Sequence, residues 1–176
     1  YKALSSVLAP EYRFSGRSYR PAHDLFNASL NYGYAILHNL STRALWKAGA
    51  NPYIGFMHRD GYQFKSLVFD FIEPFRADMI QSFFGLFSKQ SLRPDAHYTQ
   101  AKDGSVLLTK AGKTLLISKV NKFYDKRELW EGMNMTRARI LEKEAVRLAH
   151  ALTDVMGLSA PTDTEETGMP LEAIYN

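Results

Sequence analysis

The 176-residue chain reads as a mainly helical protein with one small β-hairpin. Three observations predict this. Apolar residues recur near the helical period through long segments around residues 25–47, 66–87 and 136–156. The prolines fall between those segments, Pro74 excepted. A single compact turn signal, Asp103-Gly104, lies between two short polar–apolar stretches.

In chain order, residues 1–8 read as the end of a helix. Residues 9–24, "APEYRFSGRSYRPAHD", form an irregular connector carrying Arg13, Arg17 and Arg20 with Tyr12, Phe14 and Tyr19 between them. Asp24 is a natural N-cap for a helix running to about Lys47, and Gly49 ends it. The Pro- and Gly-bearing stretch that follows is a loop. A helix resumes at about Ser66, is expected to kink or restart near Glu73 because of Pro74, and continues from Ala77 to Phe87 before Pro94. After the hairpin, helices are expected over Lys113–Phe123 and over about Thr136–Met156, with Thr136 as a candidate cap. Residues 1–157 form the expected helical domain, and residues 158–176 an acidic, linker-like tail.

Composition narrows the function classes. There is no cysteine, which removes disulfides and thiolate metal sites and sits easily with a cytoplasmic location. No apolar run of about 18 residues predicts a membrane span, and the first residues lack a secretory-signal pattern. The formal charge is +4, yet residues 161–176 hold four acids and no Lys or Arg, so the remainder is more basic than the total suggests. A basic body suits an anionic partner such as nucleic acid. No GxSxG or HExxH motif occurs, and "SGRS" and "KAGK" match no phosphate-binding loop.

The chemistry concentrates in "GFMHRDGYQFKSLVFDFIEPFR", residues 55–76, where Asp70 and Glu73 stand among Leu67, Val68, Phe69, Phe71, Ile72 and Phe75. Buried carboxylates need compensation. Three residues apart on a helix they share a face, and a hard divalent ion between them would relieve their repulsion, with His58 adding a nitrogen from the preceding loop. The alternative is that Asp70 and Glu73 pair with Arg59, Lys65 or Arg76 and that His58 is ordinary. The connector leaves two readings open as well: phosphate contacts with stacking on the aromatics, or a solvated loop whose aromatics plug the core. Arg137, Arg139, Lys143 and Arg147 on the last helix alternate with Glu142 and Glu144 and read as a solvated face.

The segment "RPAHDLFNASLNYGYAIL" resembles the signature of the CRISPR-associated endonuclease/integrase of spacer acquisition: Pro21, Asp24, then Asn27 through Tyr34. A Gly-Phe-x-His turn (Gly55, Phe56, His58) and a Leu-x-x-Asp-x-x-Glu helix (Leu67, Asp70, Glu73, then Phe75 and Arg76) follow in order. The resemblance implies the helical C-terminal catalytic domain of that family and a metal-dependent DNA endonuclease/integrase that inserts spacer-precursor DNA by transesterification. It implies Mg²⁺ or Mn²⁺ held by His58 and Glu73, with Asp70 supporting the site or coordinating through water. It also implies DNA contacts from Arg13, Arg17, Arg20, Arg59 and Arg76. The implied partners are double-stranded DNA, the small ferredoxin-like CRISPR adaptation protein and, in the full-length parent, a second copy of the chain. The family's first metal-ligand glutamate and its N-terminal β-rich domain would precede Tyr1, so this chain is expected to be a C-terminal part and a poor catalyst alone. A rival reading is a non-catalytic DNA-binding or assembly module, or part of a fusion with a reverse transcriptase or another adaptation nuclease. The enzyme reading expects His58, Asp70 and Glu73 on one concave surface, with the Arg13–Arg20 connector on the same side.

Overall fold

The computed structural model describes residues 2–57 and 64–155. His58, Arg59 and the expected tail lie outside them. Six helices and two separate two-stranded antiparallel sheets alternate along the described chain. None of these helices is long and apolar enough to cross a membrane.

A short helix, α1 (Lys2–Ser6), leads into the connector. The 23-residue α2 (Leu25–Lys47) is the axis of the fold. Its start is fixed as expected: the Asp24 side chain accepts the Asn27 N–H at 2.7 Å. Gly49, at φ +78°, sits just past its end. Phe26, Leu30, Leu37 and Leu45 are fully buried, and so are Ser29 and Ser41 on other sides, because neighbours surround this helix.

The acid-bearing segment breaks where Pro74 requires. Helix α3 (Ser66–Ile72) passes into a 3₁₀ turn (Glu73–Phe75), and α4 (Arg76–Ser88) follows. Both α3 and α4 pack on α2. A β-carbon on Gly33 would lie 3.1 Å from Met79 Sδ and from Phe83 Cε1, so the missing side chain is what lets α4 approach so closely. The connector's Phe14 stacks on Phe26 at 4.1 Å, and Phe87 meets Phe26 edge-on at 5.2 Å. The Tyr12 hydroxyl donates to the Leu92 carbonyl at 2.6 Å.

The expected hairpin forms between β1 (Tyr98–Gln100) and β2 (Val106–Leu108), with Gly104 at φ +78° in its turn. Helix α5 (Lys110–Tyr124) begins three residues before the expected Lys113, because the Thr109 hydroxyl accepts the Gly112 N–H at 3.1 Å. A second hairpin, β3 (Arg127–Trp130) and β4 (Met133–Thr136), corrects the expectation of one. Its turn residues Glu131 (φ 48°) and Gly132 (φ 77°) are both left-handed, the backbone that matches a two-residue hairpin to strand twist. Helix α6 (Arg137–Val155) starts at the expected cap, where Thr136 Oγ1 accepts the Arg139 N–H at 3.2 Å.

Candidate functional site

Two clefts flank α3. The first, of about 510 Å³, lies between the connector, α2 and the start of α4. Arg17, Arg20, Asn31, Tyr34, His38 and Arg76 are among its walls. The second, of about 670 Å³, lies between α3, the 3₁₀ turn, the second hairpin and α6.

The two acids of the signature take different places. Asp70 is only 3% exposed. Its Oδ2 accepts the backbone N–H groups of Phe56 at 2.7 Å and Met57 at 3.0 Å. The carboxylate is thus compensated by oriented peptide dipoles of the loop immediately before His58. Around it, Ser66 Oγ donates to the Tyr53 carbonyl at 2.8 Å, and Leu67 N–H donates to the Pro52 carbonyl at 3.1 Å. A β-carbon on Gly55 would stand 2.6 Å from Ser66 Cβ and 2.9 Å from Asp70 Oδ2, so only glycine lets this loop lie against α3. Glu73 instead lies at the surface, its side chain 40% exposed, with Oε1 2.9 Å from Arg76 Nη2.

The two carboxylates thus differ in surroundings: one sits beneath the loop and the other is exposed. Two loop N–H groups take Asp70 as their acceptor, and Glu73 opens the 3₁₀ turn that holds Pro74. Among the described residues no three His, Asp or Glu side chains are grouped to share an ion. The donor set is compatible with a hard cation in one respect, since Glu73 offers an exposed carboxylate. Asp70 accepts two loop N–H groups. His58 and Arg59 fall outside the described residues.

The connector divides along its length. Tyr12 and Phe14 are buried core residues, and Arg13 Nε donates to the Leu8 carbonyl at 3.1 Å, outside the first cleft's walls. Arg17 and Arg20 do line the first cleft, together with Tyr19. The first half thus plugs the core, and the second half lines the cleft. Arg17 lies 5.4 Å from the centre of the Tyr19 ring and 5.9 Å from that of Tyr34; Arg20 lies 5.4 Å from Tyr19, and Arg76 5.5 Å from Tyr34. Three guanidinium groups and two phenol rings form a continuous array, joining the connector to the residue that pairs with Glu73.

Sequence reasoning missed the α2 side of this cleft. Asn27, Asn31, Tyr34 and His38 recur at helical spacing along one stripe of an otherwise apolar helix, and that stripe was the available signal. Asn27 is 1% exposed. Its amide donates to the Gly16 carbonyl at 2.8 Å and accepts the Ser18 N–H at 3.1 Å, tying the connector to α2. His38 meets the Phe69 ring edge-on at 4.3 Å. Burial, and then the nearby charges of Arg76 and Lys65, hold its imidazole below the ordinary histidine range, so it is neutral at pH 7.

In the second cleft the arginines are paired. Arg137 reaches Glu128 at 2.7 Å and Asp78 at 3.4 Å, and lies 4.2 Å over the Phe123 ring. Arg147 pairs with Glu131 and, at 3.1 Å, with Glu144, and lies 4.5 Å over Trp130. Burial pushes the Asp78 carboxyl upward, and Arg137 offsets part of that shift. The last helix is therefore not simply a solvated face: Arg137 joins it to α4 and to the second hairpin.

The chain is similar to known CRISPR-associated proteins in sequence and in fold. The family model "CRISPR associated protein Cas1" matches residues 1–122. A CRISPR-associated endonuclease Cas1 of Thermus thermophilus is 35% identical over 118 residues, covering 66% of this chain and 36% of that protein. One from Archaeoglobus fulgidus is 32% identical over 148 residues, 80% of this chain and 42% of its own length. The chain therefore spans well under half of these relatives. Among solved structures, a casposase bound to integration product superposes with a TM-score of 0.80 at 24% identity, over 86% of this chain and 46% of that one. A Cas1 protein from Thermotoga maritima gives 0.73 at 18% identity, over 91% of this chain and 50% of that one. A Cas6-RT-Cas1–Cas2 complex gives 0.74 at 21% identity, over 88% of this chain and 17% of that one. At these identities the structures establish the fold.

Proposed function

The chain belongs to the CRISPR-associated Cas1 family, and on that premise we propose that it supplies the DNA-binding and strand-joining part of a CRISPR integrase. The observation that carries this reading is the first cleft. It gathers Arg17, Arg20 and Arg76 beside two tyrosine rings, next to the exposed carboxylate of Glu73. Arg17 and Arg20, which pair with no carboxylate among the described residues, suit phosphate groups, and the phenol rings add stacking surface for a sugar or base.

The reaction is a transesterification. The 3′-hydroxyl oxygen of a spacer-precursor DNA bonds to a phosphorus of the CRISPR repeat, the bond from that phosphorus to its leaving 3′-oxygen breaks, and the attacking hydroxyl's proton ends on the leaving oxygen through solvent. His58 and Glu73 would hold a divalent ion, Mg²⁺ or Mn²⁺, whose chemistry is to withdraw charge from the scissile phosphate. Asp70 contributes by position: its two hydrogen bonds fix the loop that leads into His58. Arg17 and Arg20 bind the phosphate backbone. The remaining partners of the reading are double-stranded DNA, the small ferredoxin-like CRISPR adaptation protein and a second copy of the chain. Among the structural neighbours, the casposase bound to integration product favours the DNA partner, and the Cas6-RT-Cas1–Cas2 complex favours an adaptation-protein partner.

The test is joining of a labelled duplex to a repeat-bearing plasmid by the protein, with and without divalent ions. Glu73→Ala and His58→Ala are expected to lower joining to about 1% or less while leaving most DNA affinity, which the basic residues supply. Full joining by either variant removes that residue from the proposed metal site.

A further inference from the structure

Arg17 is held unlike the other described arginines, by two side-chain amide oxygens. Its Nη1 donates to Asn27 Oδ1 at 3.0 Å and also to the Ser18 carbonyl, and its Nη2 donates to Asn31 Oδ1. Which end of each amide faces the guanidinium is fixed by backbone groups that have no choice of role. Asn27 Nδ2 must face the Gly16 carbonyl, since a carbonyl only accepts, and its Oδ1 must face the Ser18 N–H, which only donates. Asn31 Nδ2 likewise faces the Tyr19 carbonyl, leaving Oδ1 for Arg17. Among the described residues no carboxylate pairs with Arg17, whereas Arg76, Arg137, Arg139 and Arg147 each meet at least one.

We infer that Asn27 and Asn31 are positioning residues that lock the Arg17 guanidinium in the first cleft through neutral acceptors, so that its full positive charge is presented to a DNA phosphodiester. This rests on the cleft being the nucleic-acid site. Two requirements conflict at such a position. A long cation must be ordered before the strand arrives, or binding bears the cost of freezing it. The usual means of ordering an arginine is a carboxylate, which would cancel the charge the phosphate needs. Amide oxygens meet both requirements: they fix geometry and leave the charge whole. Asn27 also explains why the clasp is rigid, because its own N–H and Nδ2 are anchored on Asp24 at the helix cap, each at 2.7 Å.

The experiment measures affinity of the chain for a labelled DNA duplex by fluorescence anisotropy across a salt series, on variants first checked for an unchanged thermal midpoint. Asn31→Asp keeps acceptor oxygens for Arg17 but adds a negative charge beside it. It is expected to weaken binding about tenfold and to lower the salt slope by about one counterion, as Arg17→Gln does. Asn31→Ala removes the acceptor without adding charge, and is expected to cost only about threefold with the slope unchanged. Asn39→Asp puts the same charge in the same cleft at a residue that does not hydrogen-bond Arg17, and is expected to cost about threefold or less. In an Arg17→Gln background, Asn31→Asp is expected to lose most of its effect. If Asn31→Asp is no worse than Asn31→Ala or Asn39→Asp, or keeps its full effect without Arg17, the neutral-clasp inference is overturned. If Arg17→Gln itself leaves affinity and slope unchanged, the assignment of the cleft to nucleic acid fails, and the inference with it.

Discussion

In the cleft between the connector, α2 and α4, Arg17 and Arg20 face tyrosine rings and neutral amides; in the cleft between α3, the second hairpin and α6, Arg137 and Arg147 each meet two carboxylates. The residue type is the same and the walls of both clefts are partly aromatic. What differs is compensation. A paired arginine spends its charge inside the protein and crosslinks elements distant in sequence. An arginine held by amides or rings keeps its field for a ligand. A count of basic residues cannot separate the two, whereas the list of their partners can.

The first way to break this comparison is at Asp70, which lines the paired cleft yet serves the loop before His58. Asp70→Ala leaves two part-buried N–H groups without their charged acceptor and creates a void under the loop, and is expected to cost about 2 kcal/mol or more in urea denaturation, with Asp70→Asn costing about half as much. A loss under 0.5 kcal/mol on that scale would show that the loop does not depend on this carboxylate.

Arg137→Ala tests the paired side directly. It strands Asp78 and Glu128, both partly exposed, and is expected to cost about 2 kcal/mol at pH 7 while DNA affinity stays within about twofold. The pH dependence has a definite sign. Asp78 already titrates above its ordinary range, so its ionised form opposes folding, and that penalty grows as pH rises from the unfolded carboxylate value through the raised folded one. Removing Arg137 enlarges the penalty, so the cost should shrink as pH is lowered through the acid range. A cost that is constant with pH would mean that packing against Phe123, rather than charge, is what Arg137 provides.

The open cleft should respond in the opposite manner. Arg17→Gln with Arg20→Gln is expected to weaken duplex DNA binding by about ten- to a hundredfold and to lower the salt slope by about two, while stability moves by less than about 1 kcal/mol. Loss of stability without loss of affinity would assign these arginines to the paired class.

The smallest effect is expected at Glu142, which joins α6 to Lys47 of α2 at 2.5 Å and meets Arg139 at 2.8 Å. Hydrogen bonds from Lys47 and then Arg139 hold its carboxyl below the ordinary range. Its contribution is present above the unfolded glutamate value near 4.3 and is lost as pH falls through the lower folded one. Glu142→Gln should therefore cost only about 0.5 kcal/mol at pH 7, with no difference from the parent well below that value, because the pair is solvent-exposed. Denaturation midpoints at pH 7 and pH 3 check this.

Sequence alone determined what is decided within a helical turn or a single motif. Asp24 caps α2 because its side chain reaches a backbone N–H three residues on, and Pro74 breaks the acid helix because its ring leaves no hydrogen for the ladder. The order Asn27–Tyr34, Gly55–His58 and Leu67–Arg76 pointed to the family that the matched model also gives. The second hairpin escaped because Glu131-Gly132 is a weaker turn signal than Asp103-Gly104, although both of its residues are left-handed where only Gly104 is in the first. Tertiary structure alone decided that Asp70 lies beneath a loop while Glu73 stands outside, and that Arg137 is cancelled by Asp78 while Arg17 is clasped by Asn31. The reason is that local conformation is set by neighbours along the chain, whereas the fate of a charge is set by whatever the fold brings within a few ångströms, and those groups come from segments whose separation in sequence carries no record of their meeting.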